Sequence, residues 1–533
     1  MSTLYYGGAI HTLRTPEECF EAMGVENGRV VWLGHTAAGR WEKRVDLAGM
    51  HVYPALTDSH LHLLYTLVLA ANSFMICQVG PGGVEPGDLA GAERRMRLYC
   101  SQNPRQKIVV ANGYIPSAIA EKRLPTRREL DEWTGGKSCV VYSIDGHSSA
   151  MSTAMLRALG LAAEGHSGQF WGEEHEFMQG RVTGLIARSV TPAMLAKGIA
   201  NFTNECARCG IVRVCALDGN GDVERDVTTR LLAFLAARMD VDVRLFPQYM
   251  DLERARPYFK KQAAPRMGGC GEWELDGAVG AHTAAFGAPY ADNGALGHCY
   301  YSDEAVRAKV RQAAQQGVQL TCHAIGEDAI RQIVEAWAAV LPEGARRAGA
   351  PMMRVDHFEF PRREAVEQVK RLPLAITVQP GFSWLDKRYL KSYEQYLPPE
   401  KIAQQVPLRE LYEAGVCLCG SSDSPVQSID PFAQMLGMTE FYLPDQALTP
   451  YQALRTYTVN PAQMLGEETE WGTLEEGKRA DFMVLEKDFL AAEGSEAGAF
   501  CAEYTVKDGR RLTPQRGTAA ELAGLCLKRP KKL

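Results

Sequence analysis

No clean apolar run long enough to span a bilayer occurs in this 533-residue chain. The one long run, Leu63 to Val79, is broken by Thr66, Asn72, Ser73 and Gln78, which suits a buried helix better than a membrane span. No charged stretch followed by an apolar core opens the sequence, so no secretory leader is expected. Basic stripes are missing too. The formal charge is −6, and nucleic acid is not an expected partner. The short basic cluster Lys528-Arg529-Pro530-Lys531-Lys532 reads as a solvated tail. Fourteen cysteines show no small-scaffold spacing, which predicts reduced thiols and a cytoplasmic location. Cys206 and Cys209 have redox-pair spacing but no second pair, and they sit in a polar, helical setting.

What is present is an alternation of apolar strand candidates with helical stretches, the pattern of βα units around a parallel sheet. The run His51 to Leu56 reads as a buried strand leading into Asp58-Ser59-His60-Leu61-His62. Seven more strand candidates follow: Ile211 to Leu217, Val241 to Phe246, Trp273 to Leu275, Val318 to Cys322, Met353 to Val355, Leu374 to Val378 and Val416 to Cys419. Eight is the number that closes a (β/α)8 barrel. The interval from about 64 to 202 is too long for one crossover. It reads as an insertion with its own strands, Lys107 to Ala111 and Ser138 to Tyr142, and a loop from Gly165 to Gly184. Short strand and turn signals fill the first fifty residues and return only near Gly472 to Leu485. The domain expectation is therefore residues 1–53 and 463–515 as a composite β-sandwich, 54–462 as the barrel, and 516–533 as a tail.

Side chains alternate along a strand, so His60 and His62 point to one side and can converge on one ion. Alone, His-x-His is a weak signal. Active sites of such barrels lie at the carboxyl ends of the strands, and there the chain places Glu272, Glu274 and Asp276, then His323, then Asp356-His357, then Asp423. A set spread over five strand ends points to a metal site.

These residues, in this order, resemble the amidohydrolase superfamily, metal-dependent hydrolases on a distorted (β/α)8 barrel. The subgroup resembled is amidohydrolase-3, which includes the YtcJ-like proteins and the N-substituted formamide deformylases. Asp145-Gly146-His147, Asp276-Gly277-Ala278, His282-Thr283-Ala284, Gly420-Ser421-Ser422-Asp423 and Gly477-Lys478-Arg479-Ala480-Asp481 extend the match. The resemblance implies that His60, His62, His323 and His357 ligate metal, and that Asp423 both ligates and shuttles a proton. One departure stands out: Glu272 occupies the place of a lysine that many members carboxylate as a metal bridge. Glu272 can offer the same hard oxygens with a shorter reach, and Glu274, on the same side and nearer the strand end, is the alternative.

The resulting expectation is hydrolysis of a non-peptide C–N bond in an amide- or formamide-like small molecule, using one or two divalent ions, Zn2+ foremost. His147, His282 and Trp171 are candidate substrate-binding residues. The alternatives are a deaminase of a heterocyclic amine and a non-catalytic metabolite-binding regulator on the same fold. In deaminases of the superfamily a His-x-x-Glu acid follows the fifth strand, and here Glu327 lies one residue too far from His323. No membrane partner is expected, and a homodimer is the expected oligomer.

Overall fold

The computed structural model describes residues 2–80, 83–219, 226–344 and 346–533, with the backbone alone at 69–72, 80 and 270–272. Eight strands run parallel in two arrays. We number them β1 (Leu56–Leu61), β2 (Ile211–Asp218), β3 (Asp242–Pro247), β4 (Arg266–Glu274), β5 (Gln319–Ala324), β6 (Met353–His357), β7 (Leu374–Val378) and β8 (Cys417–Gly420). The orders are β3-β2-β1 and β4-β5-β6-β7-β8. Every residue of β2, β3, β5, β7 and β8 is buried, as expected of parallel strands covered on both faces.

Two junctions connect the arrays. Beyond β8, Asp423 N donates to His60 O (2.9 Å) and His62 N donates to Ser424 O (2.8 Å). At the other edge, the Gln262 side-chain amide donates to Leu245 O of β3 (2.7 Å) and to Arg266 O of β4 (3.0 Å).

A separate eight-stranded sheet draws on both ends of the chain. Its strands Cys19–Glu26 and Arg29–Gly34 are joined by Asn27-Gly28, both with positive φ, as the Asn-Gly signal for a tight hairpin predicts. His51–Pro54 belongs to this sheet, pairing antiparallel with Phe482–Leu485. The apolar run read as one strand into the histidine pair is therefore two strands of different sheets. The break falls at Ala55, whose N–H turns to Asp481 O (3.0 Å).

Between β1 and β2 the inserted region builds a five-stranded sheet, including Ile108–Tyr114 and Ser138–Ser143 as predicted. The segment read as a loop up to Gly184 is mostly helix, Gly172–Ala187. Its glycines mask a buried face formed by Met178, Val182 and Ile186.

Helix Leu63–Asn72, which starts one residue after His62, crosses helix Pro192–Arg208 at Gly198. A Cβ there would lie 2.0 Å from Leu67 O. Gly198→Ala is therefore expected to lower stability by about 1–3 kcal/mol, the overpacking cost, despite alanine's better helix propensity. Chemical denaturation checks this, and an unchanged midpoint would contradict the close crossing.

The basic tail stays exposed, as its composition predicts, yet two of its lysines are anchored. Lys528 Nζ lies 2.6 Å from Asp240 Oδ1, and Lys531 Nζ lies 2.7 Å from Asp242 Oδ1. Leu533 is buried in the main core. The acidic start of β3 supplies the countercharge that makes docking favourable. Among the described residues no helix is long and apolar enough to cross a membrane.

Candidate metal centre

The site grows from two short motifs held against each other. Asp58 accepts hydrogen bonds from His60 N (3.1 Å), Ser422 N (3.2 Å) and the Ser422 hydroxyl. The start of Asp58-Ser59-His60-Leu61-His62 is thereby tied to Ser421-Ser422-Asp423. The result is convergence: His60 Nε2 and His62 Nε2 lie 3.2 Å and 3.1 Å from the same oxygen, Asp423 Oδ1. Asp423 and His357 both hold positive φ (57° and 71°), a conformation costing on the order of 1–3 kcal/mol that functional sites tolerate.

The surroundings set each ring. His62 Nδ1 is 3.0 Å from Leu217 O, so Nδ1 donates to that carbonyl and the ring is held with Nε2 facing Asp423. His60 Nδ1 faces Asp356 Oδ1 at 3.4 Å. Burial alone would lower the His60 pKa, but the charges of Asp356 and Asp423 raise it to about 9. Asp356 is in turn held by Arg354 and Thr321. His357 is buried, and neither ring nitrogen has a hydrogen-bond partner. Burial lowers its pKa to about 4. For His323, burial and the charge of His357 lower the pKa well below the ordinary value. Its ring lies 4.3 Å from that of His357 and 5.1 Å from that of His147. Neutral imidazoles are the ligand form of histidine. A buried imidazole with no partner is costly, and one atom each from His60, His357 and Asp423 lie within 4.8 Å of one another. This donor set of imidazoles and a carboxylate fits a divalent metal.

A cavity of about 310 Å3 opens over this cluster, lined by His62, His147, Glu176, Glu274, His323 and Asp423 among others. A smaller one, about 100 Å3, meets it at His147 and Asp423 and is walled by Phe382, Tyr393 and Tyr396.

The model of the amidohydrolase family matches residues 43–513. The chain belongs to the amidohydrolase family. Curated relatives include the putative amidohydrolase YtcJ of Bacillus subtilis, 23% identical over 96% of this chain and 99% of that one. N-substituted formamide deformylase of Arthrobacter pascens is 24% identical over 94% and 96% of the two chains. Among solved structures, an uncharacterized metal-dependent hydrolase from Pyrococcus horikoshii superposes with a TM-score of 0.68 at 20% identity, covering 92% of this chain and 99% of that one.

Within this amidohydrolase the other predicted residues separate. His147 reaches the cavity, with Nδ1 3.1 Å from Glu176 Oε1 and 4.0 Å from Glu274 Oε2. Glu274 is buried and lines the cavity, whereas the side chain of Glu272 lies outside the described residues. Asp276 accepts from Ala285 N, Ile325 N and Gly326 N, organising the segments after β4 and β5. His282 does not line either cavity: its Nε2 bonds Asp292 (3.0 Å) and its ring packs on Tyr290 and Tyr396. Trp171 is 45% exposed at the start of helix Gly172–Ala187 and also misses the cavities. That helix instead turns Glu176 and Phe177 toward the larger one. Glu327, the acid of the deaminase alternative, is held by Lys401 (2.6 Å) and Arg362 (3.1 Å) and lines neither cavity.

Sequence reasoning missed two residues here. Asp218 ends β2 and accepts from Leu63 N and Leu64 N (3.0 Å each). It thereby positions the helix that follows His62. Glu176 carried no signal, sitting in the polar run Glu173-Glu174-His175-Glu176.

Proposed function

We propose that this amidohydrolase hydrolyses a non-peptide C–N bond in an amide- or formamide-like small molecule, with a divalent metal, Zn2+ foremost, held by His60, His62, His323, His357 and Asp423. The observation that carries the reading is the meeting of two imidazole Nε2 atoms on one Asp423 oxygen beside the unpartnered His357, at the floor of a cavity. When bound, such a metal supplies Lewis acidity that polarises a carbonyl and makes water acidic. Asp423 takes a proton from the attacking water and delivers it to the departing nitrogen, the work of a carboxylate within hydrogen-bond reach of both. Asp356 and Leu217 O hold the rings of His60 and His62 in register, and His147 orients the substrate carbonyl through Nε2, its Nδ1 being turned to Glu176. The two arrays of strands close as a (β/α)8 barrel over 54–462. Residues 1–53 and 463–515 form the composite β-domain, and the 64–202 insertion covers the site.

The deaminase alternative gains nothing from Glu327, whose carboxylate is already committed to Lys401 and Arg362. The names of the two relatives, an amidohydrolase and a formamide deformylase, favour amide hydrolysis. Elemental mass spectrometry of the native protein, paired with a panel of N-substituted formamides and amides, is the test. Bound metal is expected, with hydrolysis lost on chelation and restored by Zn2+. A metal-free protein, or hydrolysis indifferent to chelator, would overturn the reading.

A further inference from the structure

Beside the histidine pair the cavity holds a second group of ligand-type atoms. His147 follows strand Ser138–Ser143, Glu176 lies on helix Gly172–Ala187, and Glu274 ends β4. One atom from each lies within 4.8 Å of the others. His147 Nδ1 faces both carboxylates, at 3.1 Å and 4.0 Å.

Charge makes this arrangement costly without a cation. The larger cavity is lined by six carboxylates, Asp145, Glu173, Glu176, Asp218, Glu274 and Asp423, and by no lysine or arginine among the described residues. Even with His147 protonated, two ionised carboxylates against one imidazolium leave a net negative charge in a largely desolvated place. An uncompensated buried charge is worth several kcal/mol. Metal–ligand bonds of about 2.0–2.2 Å put neighbouring ligand atoms roughly 3–4 Å apart, the spacing seen between His147 Nδ1 and the two carboxylates.

We propose that His147, Glu176 and Glu274 form a second divalent-cation site in which the inserted region supplies two of the three ligands. The cation joins the insertion to the end of β4, next to His323. Its occupancy therefore couples closure of the cavity to metal. The role in catalysis rests on the hydrolase reading above; the existence of the site does not.

The test is metal stoichiometry by elemental mass spectrometry on the full chain loaded with Co2+, in wild type, Glu176→Gln and His60→Ala, with the visible Co2+ spectrum as a second readout. Two ions per chain are expected in the wild type and one in each variant, with the remaining ion giving a different spectrum in each. Glu176→Asp, which keeps the carboxylate, is expected to restore part of the lost occupancy. Wild type holding one ion, lost in His60→Ala and kept in Glu176→Gln, would overturn the second site and leave the hydrolase reading standing. One ion lost in Glu176→Gln and kept in His60→Ala would support the second site and defeat the first. If Glu176→Gln fails to fold, Glu274→Gln takes its place under the same criteria.

Discussion

Asp423→Asn is expected to keep the fold and bound metal while kcat falls by about 10²–10⁴-fold, the contribution of a positioned general acid–base. Asparagine preserves the shape and tolerates the left-handed backbone (φ 57°) that residue 423 adopts. The backbone bond from residue 423 N to His60 O is untouched. The amide, however, cannot accept a proton from water and return it to a leaving nitrogen. Initial rates at saturating metal, with metal content measured on the same sample, separate the chemical loss from weakened ligation. Wild-type turnover in the variant would sink the role assigned to this carboxylate.

Glu467→Gln is expected to destabilise the protein by about 3–5 kcal/mol, the cost of removing one partner from a buried ion pair. Glu467 receives both ends of Arg244 (2.7 Å each) and lies 3.9 Å from Arg266. Trp471 Nε1 also donates to it. Arg213, paired with Asp481 and Asp242, stacks 3.7 Å from the Trp471 ring. The buried layer of Arg213, Arg244, Arg266 and Arg354 comes from the amino-terminal halves of β2, β3, β4 and β6. Glu467 holds its position in this cationic setting. Burial would raise its pKa, but the Arg244 hydrogen bonds and the charges of Arg244, Arg213 and Arg266 bring it down to about 2. The unfolded value is about 4.3. A depressed folded pKa contributes stability above the unfolded value and loses it as pH falls toward 2. Urea unfolding at pH 7 is expected to show the full deficit, and the gap between variant and wild type is expected to narrow below about pH 4. A difference within about 0.5 kcal/mol at pH 7 would place Glu467 among ordinary surface residues.

That arginine layer marks where sequence reading stops. The strands were legible because each is a short apolar run between polar or turn residues: Leu374–Val378 matches to the residue, and β2, β3, β5 and β8 match within two residues at either end. Arginine at strand positions reads as solvent-facing, since nothing in the local pattern reveals the carboxylates that neutralise it from far along the chain. β4 was read as Trp273 to Leu275 but starts at Arg266. Its Gly268 and Gly269 look like a turn, yet a Cβ at either would collide with Thr321 O or Leu217 at 2.2 Å. The glycines are there for close strand packing. Trp171 lies just before the helix and is exposed, whereas the helix itself carries Glu176 and Phe177 to the cavity.

The sheet shared between distant parts of the chain has a consequence for synthesis. The Tyr53 hydroxyl in strand His51–Pro54 meets Asp488, 435 residues further along. At roughly 5–20 residues per second, a ribosome takes on the order of 20–90 s to cover that distance. Throughout that interval His51–Pro54 has no Phe482–Leu485 to pair with, and an unpaired strand edge is a template for wrong partners. The strand bearing His60 follows it directly in the chain. The protein's most exposed moment is therefore while it is being made, and a message cut short before codon 482 yields a chain whose edge never closes.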